Sequence, residues 1–443
     1  MKLNQTSRLF RISSILFLLL ISNCRGLPSS KEVAITPKPS MTFALTSAPT
    51  TNQISVPVVG TDSKLVEQCL DVAPALSDTF PYNGLLVLKE RVSGNDKPYV
   101  TTLDMDTGKA TAISLDRENQ IGHVVSPDQT LMAYTSILFD EQKNIIKEEL
   151  VIADANGTRL KSMPWGETWH SIAAWLNDTQ LAISLVLSPE QNSGQKPAAL
   201  LVLDPFTGEQ KLLDPDLPGY IHEPDMVVPY WGGWLGTVYD FTGSLAVYPA
   251  YFGTDSDKFT YAVWDASKGQ MVVSLERVFA PYLGFNDIFP QPRWSPDNSQ
   301  FVFNGLVNTD NGVASELYRV SRDGQIQQLT ELSPTAYVLD SGYGWSPDGR
   351  FIALLLITRE VFGSKALVAL LDTVTLQVTN YCLTISYGSA LLSPPIWSPD
   401  GRQFLVTDWY DEGHQRIILI DIEKNIAAQI AEDMELIGWM VKP

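Results

Sequence analysis

Two stretches hold the side chains best suited to chemistry. His222-Glu223-Pro224-Asp225 leads into Tyr230-Trp231-Gly232-Gly233-Trp234, and Pro281-Tyr282-Leu283-Gly284-Phe285-Asn286-Asp287 repeats the mixture further along. Aromatic faces beside carboxylates combine apolar stacking area with directional polar groups, which suits a sugar ring or a partner peptide. The same aromatics would equally serve to pack loop inserts onto a scaffold. Other chemistry is sparse. His123, His170, His222 and His414 are scattered, with no His-x-His spacing, so a metal site would need distant segments to converge; no metal or other cofactor is expected. Asp104-Met105-Asp106 and Asp255-Ser256-Asp257 lack the alternating ligands and distal Glu of an EF-hand loop and read as turns. Gly344-Trp345-Ser346-Pro347-Asp348 lacks the final Gly of a nucleophile elbow. A non-catalytic role is the expectation.

Positioning these residues falls to a repeated element. Trp345-Ser346-Pro347-Asp348-Gly349-Arg350 precedes the apolar run Phe351 to Ile357, and recurs as Trp294-Ser295-Pro296-Asp297-Asn298 and Trp397-Ser398-Pro399-Asp400-Gly401-Arg402. Proline presets φ, Ser and Asp accept local backbone hydrogen bonds, and Gly or Asn takes the left-handed position, so the element is a tight turn between strands. Looser copies follow Pro81, Ser126, Trp175 and Asp240, which makes seven. A second signal, an apolar strand ending in an acidic turn such as Leu103-Asp104-Met105-Asp106-Thr107-Gly108, falls once in each interval and also counts seven. Four short strands with two turn signals make one propeller blade. The expected fold is an all-β, seven-bladed β-propeller of four-stranded antiparallel blades. Glu435 to Trp439 is expected to complete the first blade, with six blades as the alternative.

In such a blade the connection between the second and third strands opens on the same face as the link to the next blade. Here those are the long connections. They include 188–197, 215–234, 251–258, 279–291, 332–344 and Trp409 to His414. That face is the expected binding face, which adds Tyr343, Trp409 and Asp411 to His222, Glu223, Trp231, Trp234, Tyr282, Phe285 and Asp287 as candidate binding residues.

The Trp-Ser-Pro-Asp-Gly repeat resembles the TolB-type β-propeller family, over about residues 80 to 443, and the propeller domains of prolyl oligopeptidase-like enzymes. The resemblance implies fold rather than activity. Some similar propellers, the oligogalacturonate lyases, hold a metal with histidines near the channel. A metal-dependent lyase therefore stays open as an alternative, beside a carbohydrate-binding module of an uptake system.

Residues 1–23 carry Lys2, Arg8 and Arg11, no acid, and an apolar run from Ile12 to Ile21, as in a secretory signal. Ile21-Ser22-Asn23-Cys24 resembles a bacterial lipobox, which implies lipidation of Cys24, although Asn23 departs from the usual Gly, Ala or Ser. The alternative is ordinary cleavage near Gly26. Residues 24–63 are rich in Ser, Thr and Pro and read as a disordered tether, and residues 64–443 as one propeller domain. Without Cys24 an even pair remains, Cys69 and Cys382; a disulfide is expected in an oxidising compartment, two free thiols being the alternative.

The chain has 50 acidic residues against 31 basic ones, and loses three basic residues with the signal. So acidic a surface repels nucleic acid and anionic headgroups. The expected picture is a monomer in the bacterial cell envelope, attached to the membrane only through Cys24, with an envelope protein or glycan as partner.

Overall fold

The computed structural model describes residues 65–73, 82–90, 99–114, 118–166, 169–185, 200–213, 238–250, 260–265, 267–279, 292–309, 312–332, 335, 337–358, 365–386, 394–411 and 414–443. Cys24, the signal 1–23 and the whole of the tether 24–63 lie outside them, as do the long connections 188–197, 215–234 and 251–258.

Each copy of the turn folds for the same local reason. Ser346 Oγ donates to Asp348 Oδ1 at 2.5 Å and accepts from the Phe351 N–H at 2.9 Å, while Asp348 Oδ1 accepts from the Arg350 N–H at 3.1 Å. Gly349 takes the left-handed φ of 70° that the turn requires. Ser126, Ser295 and Ser398 repeat the Ser-to-Asp bond at 2.5, 2.5 and 2.7 Å. In the fourth copy Asp240 stands in the Ser position, where its Oδ1 accepts from the Ser244 and Leu245 N–H groups at 2.7 and 2.9 Å.

These turns join the two innermost strands of seven four-stranded antiparallel blades arranged in a ring. The innermost strands are, in ring order, Met434–Met440, Glu118–Val125, Trp169–Trp175, Val238–Tyr239, Arg293–Trp294, Tyr337–Trp345 and Ile396–Trp397. The C-terminal strand Met434–Met440 pairs antiparallel with Leu85–Glu90, placing Trp439 opposite Leu86 and completing blade 1, as the repeat spacing requires. Lys442 then bridges Asp104, at 2.8 Å, and Asp106 in the same blade. Blades 4 and 5 are further linked by one bridge, Phe279 with Leu306.

Burial follows from the blades stacking face to face. Trp294, Phe301, Phe303 and Tyr261 sit in one inter-blade core, and Trp397, Phe404, Tyr381 and Ile420 in another. The tryptophans also tie blade to blade through their indole N–H groups. Trp175 donates to the Val124 carbonyl at 3.1 Å, Trp345 to Arg293 at 3.1 Å and Trp397 to Gly344 at 2.9 Å. In each case the acceptor belongs to the inner strand of the preceding blade. The Trp294 Nε1 is buried with no hydrogen-bond partner among the described residues. Trp345→Phe is therefore expected to lower unfolding stability by about 1–2 kcal/mol more than Trp294→Phe, since only the first breaks a hydrogen bond. Urea denaturation of the two variants checks this; equal losses would deny the indole tie any energetic role.

Before entering blade 1 the chain adds a fifth, outermost strand to each of two other blades. Leu65–Glu67 pairs parallel with Val378–Ser386 of blade 6, and Asp71–Ala73 pairs parallel with Ile426–Glu432 of blade 7. Between these segments Cys69 is joined to Cys382 by a disulfide, with the two Cα atoms 4.8 Å apart.

Candidate binding face

The antiparallel blades sort their connections onto two ends of the ring. At one end lie the short turns, and their polar groups are largely used within the ring. Besides the Ser-to-Asp bonds, Asp178 Oδ1 accepts from the Asp128 N–H at 3.0 Å, and Asn177 donates to the Phe241 carbonyl at 2.8 Å, each bond joining neighbouring blades. Gln129, in the left-handed region at φ 61°, donates through Nε2 to the Trp397 carbonyl at 3.0 Å, and its own carbonyl accepts from the Val441 N–H. A surface recess of about 310 Å³ opens between two turns, lined by Ser295, Asp297, Pro347 and Asp348 among others. Its carboxylates are already engaged, and the Ser295 hydroxyl holds Asp297 below the usual carboxylate range.

The other end carries the long connections. Seven of the expected binding residues, His222, Glu223, Trp231, Trp234, Tyr282, Phe285 and Asp287, lie outside the described residues. Tyr343 is described, and it is not on the surface. The inner strand of blade 6 begins at Tyr337, so much of the stretch read as a connection is strand. Tyr343 pairs with Leu354 and is fully buried between blades. Its hydroxyl accepts from the Asn304 N–H, and desolvation raises its pKa. It serves packing, a correction to the sequence reading.

Trp409 and Asp411 fall on the blade 7 strand Gln403–Asp411. Trp409 is half-buried, and the Asp411 backbone pairs with His414 across a tight hairpin. That hairpin and the adjoining turn at Glu432 and Asp433 build the corner of this face that the structure describes. The Tyr410 hydroxyl donates to Glu432, and that hydrogen bond, followed by burial and the neighbouring carboxylates, pushes the phenol pKa up to about 12. His414 Nδ1 lies 3.0 Å from Asp433 Oδ1, with Asp433 in the left-handed region at φ 53°. The Arg416 guanidinium sits 5.6 Å from the Tyr410 ring centre, and its Nε donates to the buried Asp408 at 2.7 Å. Asp408 also accepts from the Ser386 N–H at 2.6 Å. Tyr410, His414 and Asp433 are all exposed. Sequence reasoning placed the stretch Trp409 to His414 on this face but named only Trp409 and Asp411 as binding residues, and it did not bring in Glu432 and Asp433. The available signal was a four-residue hairpin with an aromatic and a His on either side of it.

A third polar cluster is internal. On the inner strand of blade 2, buried Glu118 accepts from Ser136, Arg159 and, at 3.0 Å, Gln120, whose Oε1 lies 3.2 Å from His123 Nε2. The His123 ring stacks on buried Tyr134 at 5.2 Å. Burial, reinforced by Lys89, depresses the His123 pKa to about 3. These groups satisfy one another. Among the described residues no group of three His, Cys, Asp or Glu side chains converges to hold a metal.

No family model matches the sequence, and no curated protein matches it. Solved structures do. The oligogalacturonate lyase from Vibrio parahaemolyticus is 14% identical, with 76% of this chain and 91% of that one covered at a TM-score of 0.50. TolB from Acinetobacter baumannii is 15% identical over 79% of this chain, at a TM-score of 0.38, and a putative TolB from Agrobacterium tumefaciens is 19% identical over 72%, also at 0.38. The chain covers 63% of the first TolB and 96% of the second. At 14% identity the likeness to the lyase shows the fold alone. The fold is that of a β-propeller. Its blades are seven.

Proposed function

We propose that this chain is a non-catalytic binding or scaffolding propeller, displayed on the outer side of the bacterial membrane and meeting an envelope protein through its long-loop face. The tether 24–63, anchored by lipid at Cys24, would hold it there. The observation that carries the reading is the blade 7 corner, where Tyr410, His414, Glu432 and Asp433 form an exposed polar and aromatic patch on a rigid blade edge. At the opposite end the turn groups are consumed by the ring itself. A protein partner suits this patch better than a sugar. Arg416 over the Tyr410 ring and His414 stacked beside it at 6.2 Å occupy the flat surface a sugar would need, leaving a polar rim for hydrogen bonds and ion pairs.

The test is a pull-down from solubilised envelopes of the source cells, with the full chain beside a variant carrying Tyr410→Ala and His414→Ala and a second carrying Trp231→Ala, Trp234→Ala and Tyr282→Ala. The expected outcome is an envelope protein captured by the parent and reduced at least about tenfold in one or both variants, the size of loss that hot-spot truncation brings. Retention of polysaccharide without protein would replace this reading by a carbohydrate-binding module. Release of unsaturated oligosaccharides with stoichiometric metal would replace it by a lyase.

A further inference from the structure

The strap formed by residues 65–73 differs from the rest of the ring in how it is held. Each of its strands makes only three residue pairs, Leu65 to Glu67 against Val378 to Asn380 and Asp71 to Ala73 against Ile426 to Ala428. A few further bonds reinforce it: the Leu70 N–H donates to the Tyr381 carbonyl at 3.1 Å, and Asn425 Nδ2 donates to the Cys69 carbonyl at 2.9 Å. Leu70 is buried in the core between blades 6 and 7, and Leu65 is partly buried against the neighbouring core. Against these modest contacts stands one covalent link, and it is accessible: Cys69 and Cys382 are both exposed. Cys382 also holds a φ of 55° within its strand, beside a register shift between Leu367 and Ala369. Strained non-glycine backbone persists where its surroundings enforce it, and exposed disulfides are the ones that exchange.

We propose that the strap is a thiol-released cover over the outer edges of blades 6 and 7. While the disulfide is intact, the strap pairs with both edges. A dithiol reductant opens it in two steps. One thiolate of the dithiol attacks a sulfur of the Cys69–Cys382 bond, giving a mixed disulfide and a free cysteine thiolate that takes up a proton. The second thiolate of the dithiol then displaces the other cysteine as a thiol, so the dithiol ends as its own disulfide and two electrons have passed to the protein. Three pairs per edge, Leu70, the partly buried Leu65 and a few hydrogen bonds of Gln68, Cys69, Leu70 and Asp71 are then left to hold the segment, and short edge pairings of this kind open locally. Reduction thus uncovers the stretches of outer strand that the strap pairs with, at 378–380 and 426–428, while the seven blades stay intact, because ring closure runs through Met434–Met440 and not through the strap.

Hydrogen–deuterium exchange on the full chain, with and without dithiothreitol, tests this. The expected result is that amides of residues 66–72, and of the facing strands at 378–382 and 426–428, exchange at least about tenfold faster after reduction, with the inner strands of blades 2 to 5 unchanged. The double variant Cys69→Ser with Cys382→Ser should show the same pattern without reductant. Unchanged protection of the strap after reduction would overturn the proposal, since its non-covalent contacts would then suffice. Loss of protection around the whole ring would overturn it as well, by making the disulfide a staple of the entire fold.

Discussion

A chain ending at Asp433 is expected to show no cooperative unfolding transition. Such a truncation removes the innermost strand of blade 1, and with it Trp439 and Met440, which are 1% and 0% exposed. Three other contacts go with it. Trp439 Nε1 donates to the Asn83 carbonyl at 2.8 Å, the Lys442 ammonium bridges Asp104 and Asp106, and the Val441 N–H reaches Gln129. The fit is close on both sides: a Cβ on Gly438 would come within 2.5 Å of Val125 in blade 2, and Gly84 turns beneath Trp439 at φ 109°. Trp439→Ala alone should cost about 3–5 kcal/mol, as truncation of a buried Trp does, out of the roughly 5–15 kcal/mol that a typical domain has. Urea denaturation of the point variant, and thermal melting of the truncated chain followed by near-ultraviolet circular dichroism, check the two statements. A sharp melt in the truncated chain would mean that six blades and an incomplete first one are sufficient.

Acid should begin to destabilise the ring well above the carboxylate range, because of His123. Although part of its surface is accessible, its ring is packed on Tyr134 and is held neutral, with a folded-state pKa of about 3 against an ordinary value of 6.5. The sign follows from proton counting. Below about pH 6.5 the unfolded chain takes up a proton at this site and the folded chain does not, so stability is full above that pH. It is then lost at about 1.4 kcal/mol per pH unit as the pH falls toward 3. Lys89, Arg159 and Glu118 surround the site, so charging the imidazole would also disturb the bond from Gln120 to Glu118. His123→Phe keeps the stack on Tyr134 and cannot titrate. Its stability should be nearly flat from pH 6.5 to 4.5, where the parent declines. Parallel slopes in denaturant midpoints over that interval would show that the depressed histidine is not the source.

Much of the ring could be read from the sequence because its chemistry repeats. Four Ser residues and their Asp partners make the same turn in the same way, and even Asp240, which breaks the motif, supplies the acceptor the turn needs. The closing strand was legible because Trp439 sits where a Trp was due. The strap was not. Its two strands are three residues long and sit at the outer edge, where one side chain is buried and no periodicity can show. Tyr343 misled for a related reason: its strand, interrupted by a register shift between Leu339 and Tyr343, lacks regular alternation and reads like a loop. In the blade 7 corner the aromatic residues of the hairpin were visible in advance. What brings them to Glu432 and Asp433 is a turn distant in sequence, and only the closed blade places the two together.

The position of the disulfide also decides how the molecule carries load. Force applied to the chain upstream of Leu65 meets the three-residue pairing of Leu65–Glu67 and then the covalent Cys69–Cys382 bond, both on the outer strand of blade 6. The strand pairing that closes blade 1, held by hydrogen bonds and packing alone, lies downstream of that point and is bypassed. Tension from that side therefore reaches the ring at a blade built from one continuous stretch of chain, and the seam between first and last strands bears none of it.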